Sequence, residues 1–208
     1  MNKLSYNMEG NENKIIDKDY EYVDLCKKGD VAAFEMLVRK HQKKMLNIAY
    51  RMVGNYEDAC EIVQDAFVSA YRAIKNFEEK ARFSTWLCTI VINFSKNRLK
   101  QMKAQHSREE SIDDPIPTDD GSIKAEPASN EPSALERLEQ REVRQKIQGC
   151  IDSLDSEFKE VIILRDIQGF SYNEICDMLK IAEGTVKSRL FRARDAVKDC
   201  LKKSMGDL

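Results

Sequence analysis

Residues 183–194 read EGTVKSRLFRAR and concentrate hydrogen-bond donors and positive charge in one short segment. Val186, Leu190, Ala193, Val197 and Leu201 recur every three or four residues, so they form one apolar stripe of a helix. That stripe leaves Thr185, Lys187, Ser188 and Arg192 pointing outward or sideways, with Arg189 and Arg194 beside them. An arginine can pair through two hydrogen bonds with a guanine edge, and a lysine can reach the same edge or a phosphate. A solvated charged face has the same composition, so the segment alone leaves both readings open.

A second polar face lies in FSTWLCTIVINFSKNRLKQM, residues 83–102. Asn93, Lys96, Asn97 and Lys100 stand at i, i+3, i+4 and i+7, largely opposite Phe83, Leu87, Ile90, Val91 and Phe94. Two amides between two ammonium groups suit hydrogen bonding to bases together with neutralisation of phosphates. An ordinary wet helix face is the competing reading. The preceding polar loop is bordered by Phe77 and Phe83 and could hold an unstacked base. Trp86 reads as a core anchor before it reads as a stacking platform.

A third cluster is acidic. Asp58, Glu61 and Asp65 run i, i+3, i+7, next to Glu57, on an otherwise basic half of the chain. Acidity at a helix start favours the macrodipole, which accounts for Glu57 and Asp58 but not for Asp65. The remainder suggests a protein partner distinct from any nucleic acid. No histidine accompanies these carboxylates, and neither a phosphate-binding loop nor a dinucleotide fingerprint occurs. The chain therefore reads as a non-enzyme with no cofactor, no metal and no small-molecule substrate.

The elements that position these faces read as helix throughout. Gly (8) and Pro (4) are scarce in 208 residues, and no segment sustains period-2 alternation, so the predicted class is all-α. Asp30 can cap VAAFEMLVRKHQKKMLNIAYRMV; Gly54-Asn55 can end it and start the next helix. Leu135, Leu138, Val143, Ile147 and Ile151 make residues 134–154 amphipathic. Asp155 can cap the segment that Gly169 stops. Ser171 and Glu174 have capping-box spacing. A short capped helix, a tight turn and a longer basic helix are the pattern of a helix-turn-helix.

Charge divides the chain. Residues 20–105 hold 15 basic and 10 acidic side chains, residues 106–134 hold 2 and 8, and residues 184–203 hold 7 and 2. All four prolines fall in the acidic stretch, which lacks an apolar period and reads as a flexible linker. The expected organisation is a loose arm over 1–19, a helical domain over 20–105, a linker over 106–133 and a helix-turn-helix domain over 134–203. The six cysteines form no C-x-x-C pair. They are expected to be small buried hydrophobes of a cytoplasmic protein, not a disulfide or zinc framework. No apolar run is long enough for a membrane span.

In order, GDVAAFEMLV, VQDAFVSAYRAIKNF, FSTWLCTIVINFSKNRLK, LRDIQGFSYNEI and EGTVKSRLFRAR resemble the extracytoplasmic-function (group 4) sigma factors of the bacterial sigma-70 family. The resemblance covers residues 19–203. It implies a sigma-2-like bundle and a sigma-4-like helix-turn-helix domain, with core RNA polymerase and promoter DNA as partners. By the same resemblance, Gln64 and Asp65, with Asp58 and Glu61 on the same helix, would meet the β′ clamp helices. Arg82, Phe83, Asn93, Lys96, Asn97 and Lys100 would take the −10 element. Thr185, Lys187, Ser188, Phe191 and Arg192 would read the −35 element, and other sigma-4 surfaces would meet the β flap. An anti-sigma factor is a further implied partner, and any link to a membrane would run through it. The chain departs from the family pattern at Ala59-Cys60-Glu61-Ile62, Asp155, Cys176 and Glu183, whose charge bears on −35 preference. The alternatives are a free-standing helix-turn-helix regulator that acts without polymerase, and a helical adaptor that binds no nucleic acid.

Overall fold

The computed structural model describes residues 19–109 and 134–205, with side chains over 19–105 and 141–204. Among the described residues eight α-helices run in order: α1 Tyr20–Lys27, α2 Val31–Val53, α3 Tyr56–Ala73, α4 Phe83–Glu109, α5 Ala134–Asp152, α6 Ser156–Ile162, α7 Tyr172–Leu179 and α8 Glu183–Met205. A 3-10 turn, Ile74–Asn76, closes α3, and a π turn, Ile163–Ile167, closes α6. The described residues contain no strand, as the class expected from sequence requires.

Local chemistry explains most helix ends. The Asp30 carboxylate accepts from the Ala33 N–H at 3.2 Å, and the Asn55 side chain accepts from the Asp58 N–H at 3.0 Å. Gly54 ends α2 at φ +80°, a conformation without cost for glycine. Asp155 departs from expectation: its side chain makes no cap, and its backbone carbonyl accepts from the Phe158 and Lys159 N–H groups of α6.

Helices α1–α4 enclose one core around Leu37, Met45, Ile48, Met52, Phe83, Leu87 and Ile92, all fully buried. In the second half, α6 and α7 cover the α8 stripe around Ile163, Leu164, Ile175 and Leu190. The two halves touch: α7 lies on α4, and α5, α6 and the π turn lie on α2, so the apolar clusters merge.

Three further expectations about the fold need correction. Asp19 does not belong to a loose arm: it is 2% exposed and binds both Lys40 and His41, the latter at 2.7 Å. Helix α4 continues to Glu109, past the expected boundary at 105. Residues 1–18 and 110–133, hence the rest of the arm and most of the linker, lie outside the described residues, as do the side chains of Leu135 and Leu138. The third correction concerns the cysteines. Cys150 of α5 and Cys200 of α8 form a disulfide. Fifty residues separate them in sequence, and only the packing of α5 on α8 brings them together. Cys26 and Cys88 are buried thiols; burial pushes Cys88 up to about 12 and keeps it protonated.

Candidate nucleic-acid interface

The helix-turn-helix is built from α7, a three-residue turn and α8. Its entry is the expected capping box: the Ser171 hydroxyl accepts from the Glu174 N–H at 3.2 Å, and the Ser171 N–H donates to Glu174 Oε2 at 2.9 Å. Partial burial disfavours the Glu174 carboxylate. Hydrogen bonds from the Ser171 backbone and hydroxyl and from Thr85, with Arg82 nearby, outweigh this and hold it below the usual range. Lys180 makes the turn at φ +56° and donates its N–H to the Cys176 carbonyl.

On α8, Val186, Leu190 and Ala193 are at most 1% exposed, whereas Phe191 is 73% exposed and Lys187, Ser188 and Arg192 are open to solvent. Thr185 is half-buried. The basic side chains differ in how they are held. Arg194 forms a two-point contact with Asp166 at 2.7 and 2.9 Å, and Arg189 is fastened to Glu157 at 2.6 Å. Lys187 pairs with Glu183 at 2.6 Å and lies over the Tyr172 ring; the Glu183 hydrogen bond raises its pKa. Among the described residues Arg192 makes no ion pair, so it and Phe191 form the unoccupied part of the face.

On α4, Asn93, Asn97 and Lys100 are exposed, but Lys96 is half-buried against Glu160 of α6 at 2.9 Å. Arg82 is exposed at the helix start. Phe83 is fully buried, 5.6 Å from the His41 ring and 6.1 Å from Phe77. Its place in the −10 set is therefore corrected: it supports the loop from below and reaches no DNA in this form. Trp86 stacks on Phe77 at 4.7 Å at the edge of the core. The loop is tied down from α1, by Lys27 on the Glu79 carboxylate and the Tyr20 hydroxyl on the Glu79 carbonyl. Sequence reasoning missed both residues, because nothing local marks them as partners of a loop some 50 residues on.

The acidic patch on α3 divides as well. Asp58 is held by Arg98 of α4, with Glu61 3.7 Å from the same guanidinium. Gln64 and Asp65 stay exposed, next to Val68 and Tyr71, which are 43% and 40% exposed. Val68 lies one turn from Asp65 on the same surface, a signal the sequence contained.

A model of sigma-70 region 2 matches residues 37–105, and one of sigma-70 region 4 matches residues 144–197. The RNA polymerase sigma-H factor of Pseudomonas aeruginosa is 33% identical over 89% of this chain and 94% of its own. The extracytoplasmic-function sigma-E factor of Escherichia coli K12 is 38% identical over 86% and 92%. The chain belongs to the extracytoplasmic-function sigma factors. A solved structure of the Bartonella quintana sigma factor RpoE with the anti-sigma factor NepR shares the fold, with a TM-score of 0.63 and 23% identity over 83% of this chain and 98% of that one. In this sigma factor, region 2 spans most of α2 through α4, and region 4 runs from α5 into α8. No helix among the described residues is long and apolar enough to cross a membrane.

Proposed function

We propose that this sigma factor directs promoter-specific initiation through three separate faces. Gln64 and Asp65, with Val68 and Tyr71, form the docking face for core polymerase; Asp58 and Glu61 shape it through Arg98. Arg82, Asn93, Lys96, Asn97 and Lys100 take melted −10 bases and their phosphates. Thr185, Lys187, Ser188, Phe191 and Arg192 read the −35 element, and the cytoplasm is the compartment for this work. An anti-sigma factor is the expected further partner, as for the Bartonella quintana relative.

The observation that carries this reading is the division of α8: a stripe no more than 1% exposed holds the helix down, and Phe191 and Arg192 stand free on the opposite face. A phenylalanine exposed to this degree beside an unpaired arginine suits apolar contact with a base and hydrogen bonding to its edge. The relatives are polymerase subunits, which leaves the free-standing regulator without support.

The test separates the faces. Arg192→Ala weakens −35 binding by about 1–3 kcal/mol, the range for a two-point base contact, and leaves core affinity unchanged. Asp65→Arg does the reverse. If both variants damage the same step, the division is wrong.

A further inference from the structure

Helix α1 precedes the span matched by the region 2 model, which begins at residue 37, yet it holds the loop that leads into α4. Tyr20 and Lys27 stand two turns apart and so on one side of α1. The Tyr20 hydroxyl donates to the Glu79 carbonyl at 3.3 Å. The Lys27 ammonium binds the Glu79 carboxylate and lies 5.9 Å from the centre of the Phe77 ring. Glu79 sits at φ +58°, a left-handed conformation that costs free energy in a residue with a Cβ. Such a residue persists where its surroundings over-determine it, and here both its carbonyl and its carboxylate are held. Helix α1 is itself anchored: Val23 and Cys26 are buried, and Asp19 at its start binds Lys40 and His41 of α2, the latter at 2.7 Å.

We propose that Tyr20 and Lys27 are positioning residues for capture of the unstacked −10 base, acting through Glu79 on the loop of residues 77–82. Extruding a base from its stack already consumes binding energy, and a loop that had to order on binding would consume more. The two ties to Glu79 keep the loop in one form before DNA arrives. The Lys27 pair has a second effect. Glu78 and Glu79 put two carboxylates on a loop that approaches phosphates, and each has an ammonium partner: Lys80 lies 2.6 Å from Glu78, and Lys27 binds Glu79. Tyr20 and Lys27 act at a distance from the base: they fix the loop, and the shape of the loop sets which base it accepts. The inference rests on the −10 role proposed for Arg82 and its neighbours.

The experiment reads the loop and the base separately. Trp86 is the one tryptophan of the chain and stacks on Phe77 at 4.7 Å, so acrylamide quenching of the full chain reports on the loop. Selection from a single-stranded DNA library randomised over the −10 element, by the full chain assembled with core polymerase, reports on base preference. Lys27→Gln and Tyr20→Phe should each raise quenching, weaken single-stranded binding several-fold and flatten selection at the extruded base, with core affinity and −35 duplex binding unchanged. Lys27→Glu with Glu79→Lys should restore both readouts, since the tie returns with its charges exchanged. Glu79→Gln should weaken binding as well; tighter binding would show that Lys27, once freed, contacts DNA itself, and overturns the positioning role. Unchanged quenching in Lys27→Gln and Tyr20→Phe overturns the clamp. Raised quenching with selection unchanged overturns the link to base choice, and Arg82→Ala then locates the fault. Altered selection in that variant leaves the −10 reading intact, and unaltered selection brings that reading down as well.

Discussion

Glu183 Oε1 lies 2.6 Å from Lys187 Nζ, one helical turn apart at the start of α8. The carboxylate thus competes with DNA for a lysine of the proposed −35 face, and its own charge repels phosphate. Glu183→Gln should tighten binding of duplex DNA by a few-fold and relax preference at the base pair nearest Lys187. Selection of −35 sequences from a randomised duplex library with each protein checks this; identical selected sequences and affinities contradict it. Both side chains are largely exposed, so the pair has little bearing on stability.

The Cys150–Cys200 bridge closes a long loop within region 4. Such a bridge restricts the unfolded chain and stabilises the fold by about 4 kcal/mol in the chain-entropy account. Urea denaturation of the oxidised protein should show a higher midpoint than Cys200→Ser, and added thiol reductant should bring the two together. Coincident midpoints without reductant contradict the bridge's role.

Glu174 binds Ser171 and Thr85 as a carboxylate and ionises below its ordinary value of 4.5. A depressed folded value means stability that is present above the unfolded value and lost as pH falls through the folded one. Unfolding midpoints should therefore drop as pH is lowered from 4.5, and Glu174→Gln should flatten that part of the profile. Ser171→Ala should cost about 1 kcal/mol at neutral pH, the usual effect of losing an N-cap. A profile unchanged by Glu174→Gln contradicts the assignment.

Phe83 and Arg82 are neighbours with opposite fates, one fully buried and one exposed. Phe83→Ala should destabilise region 2 by about 3–5 kcal/mol. Arg82→Ala should leave the denaturation midpoint in place and weaken single-stranded DNA binding. Equal midpoints for the two variants would place Phe83 outside the core.

What the sequence made legible was local. Asp30, Gly54-Asn55 and the Ser171–Glu174 box act within a few residues, so spacing alone reveals them. The α8 stripe is similarly short-range, since Val186, Leu190 and Ala193 follow the helical period. The misreadings concern partners that only tertiary packing supplies. Lys96 looked free on its own helix, and its carboxylate lies 64 residues away. Cys150 and Cys200 lacked any motif spacing, and Phe83 sat at the junction of loop and helix, where exposure depends on His41, Phe77 and Trp86. Of the basic residues in EGTVKSRLFRAR, sequence could not tell that Arg189 and Arg194 are fastened back by Glu157 and Asp166 while Arg192 is not.

The central claim is that this chain confers promoter choice on a polymerase that lacks it. The direct measurement is run-off transcription by bacterial core RNA polymerase on a promoter library, with and without the full chain. The account predicts initiation from a defined subset of promoters sharing −35 and −10 elements, lost with Arg192→Ala and with Asp65→Arg. Tight binding to DNA without any binding to core polymerase, and no promoter-dependent transcript, would contradict it.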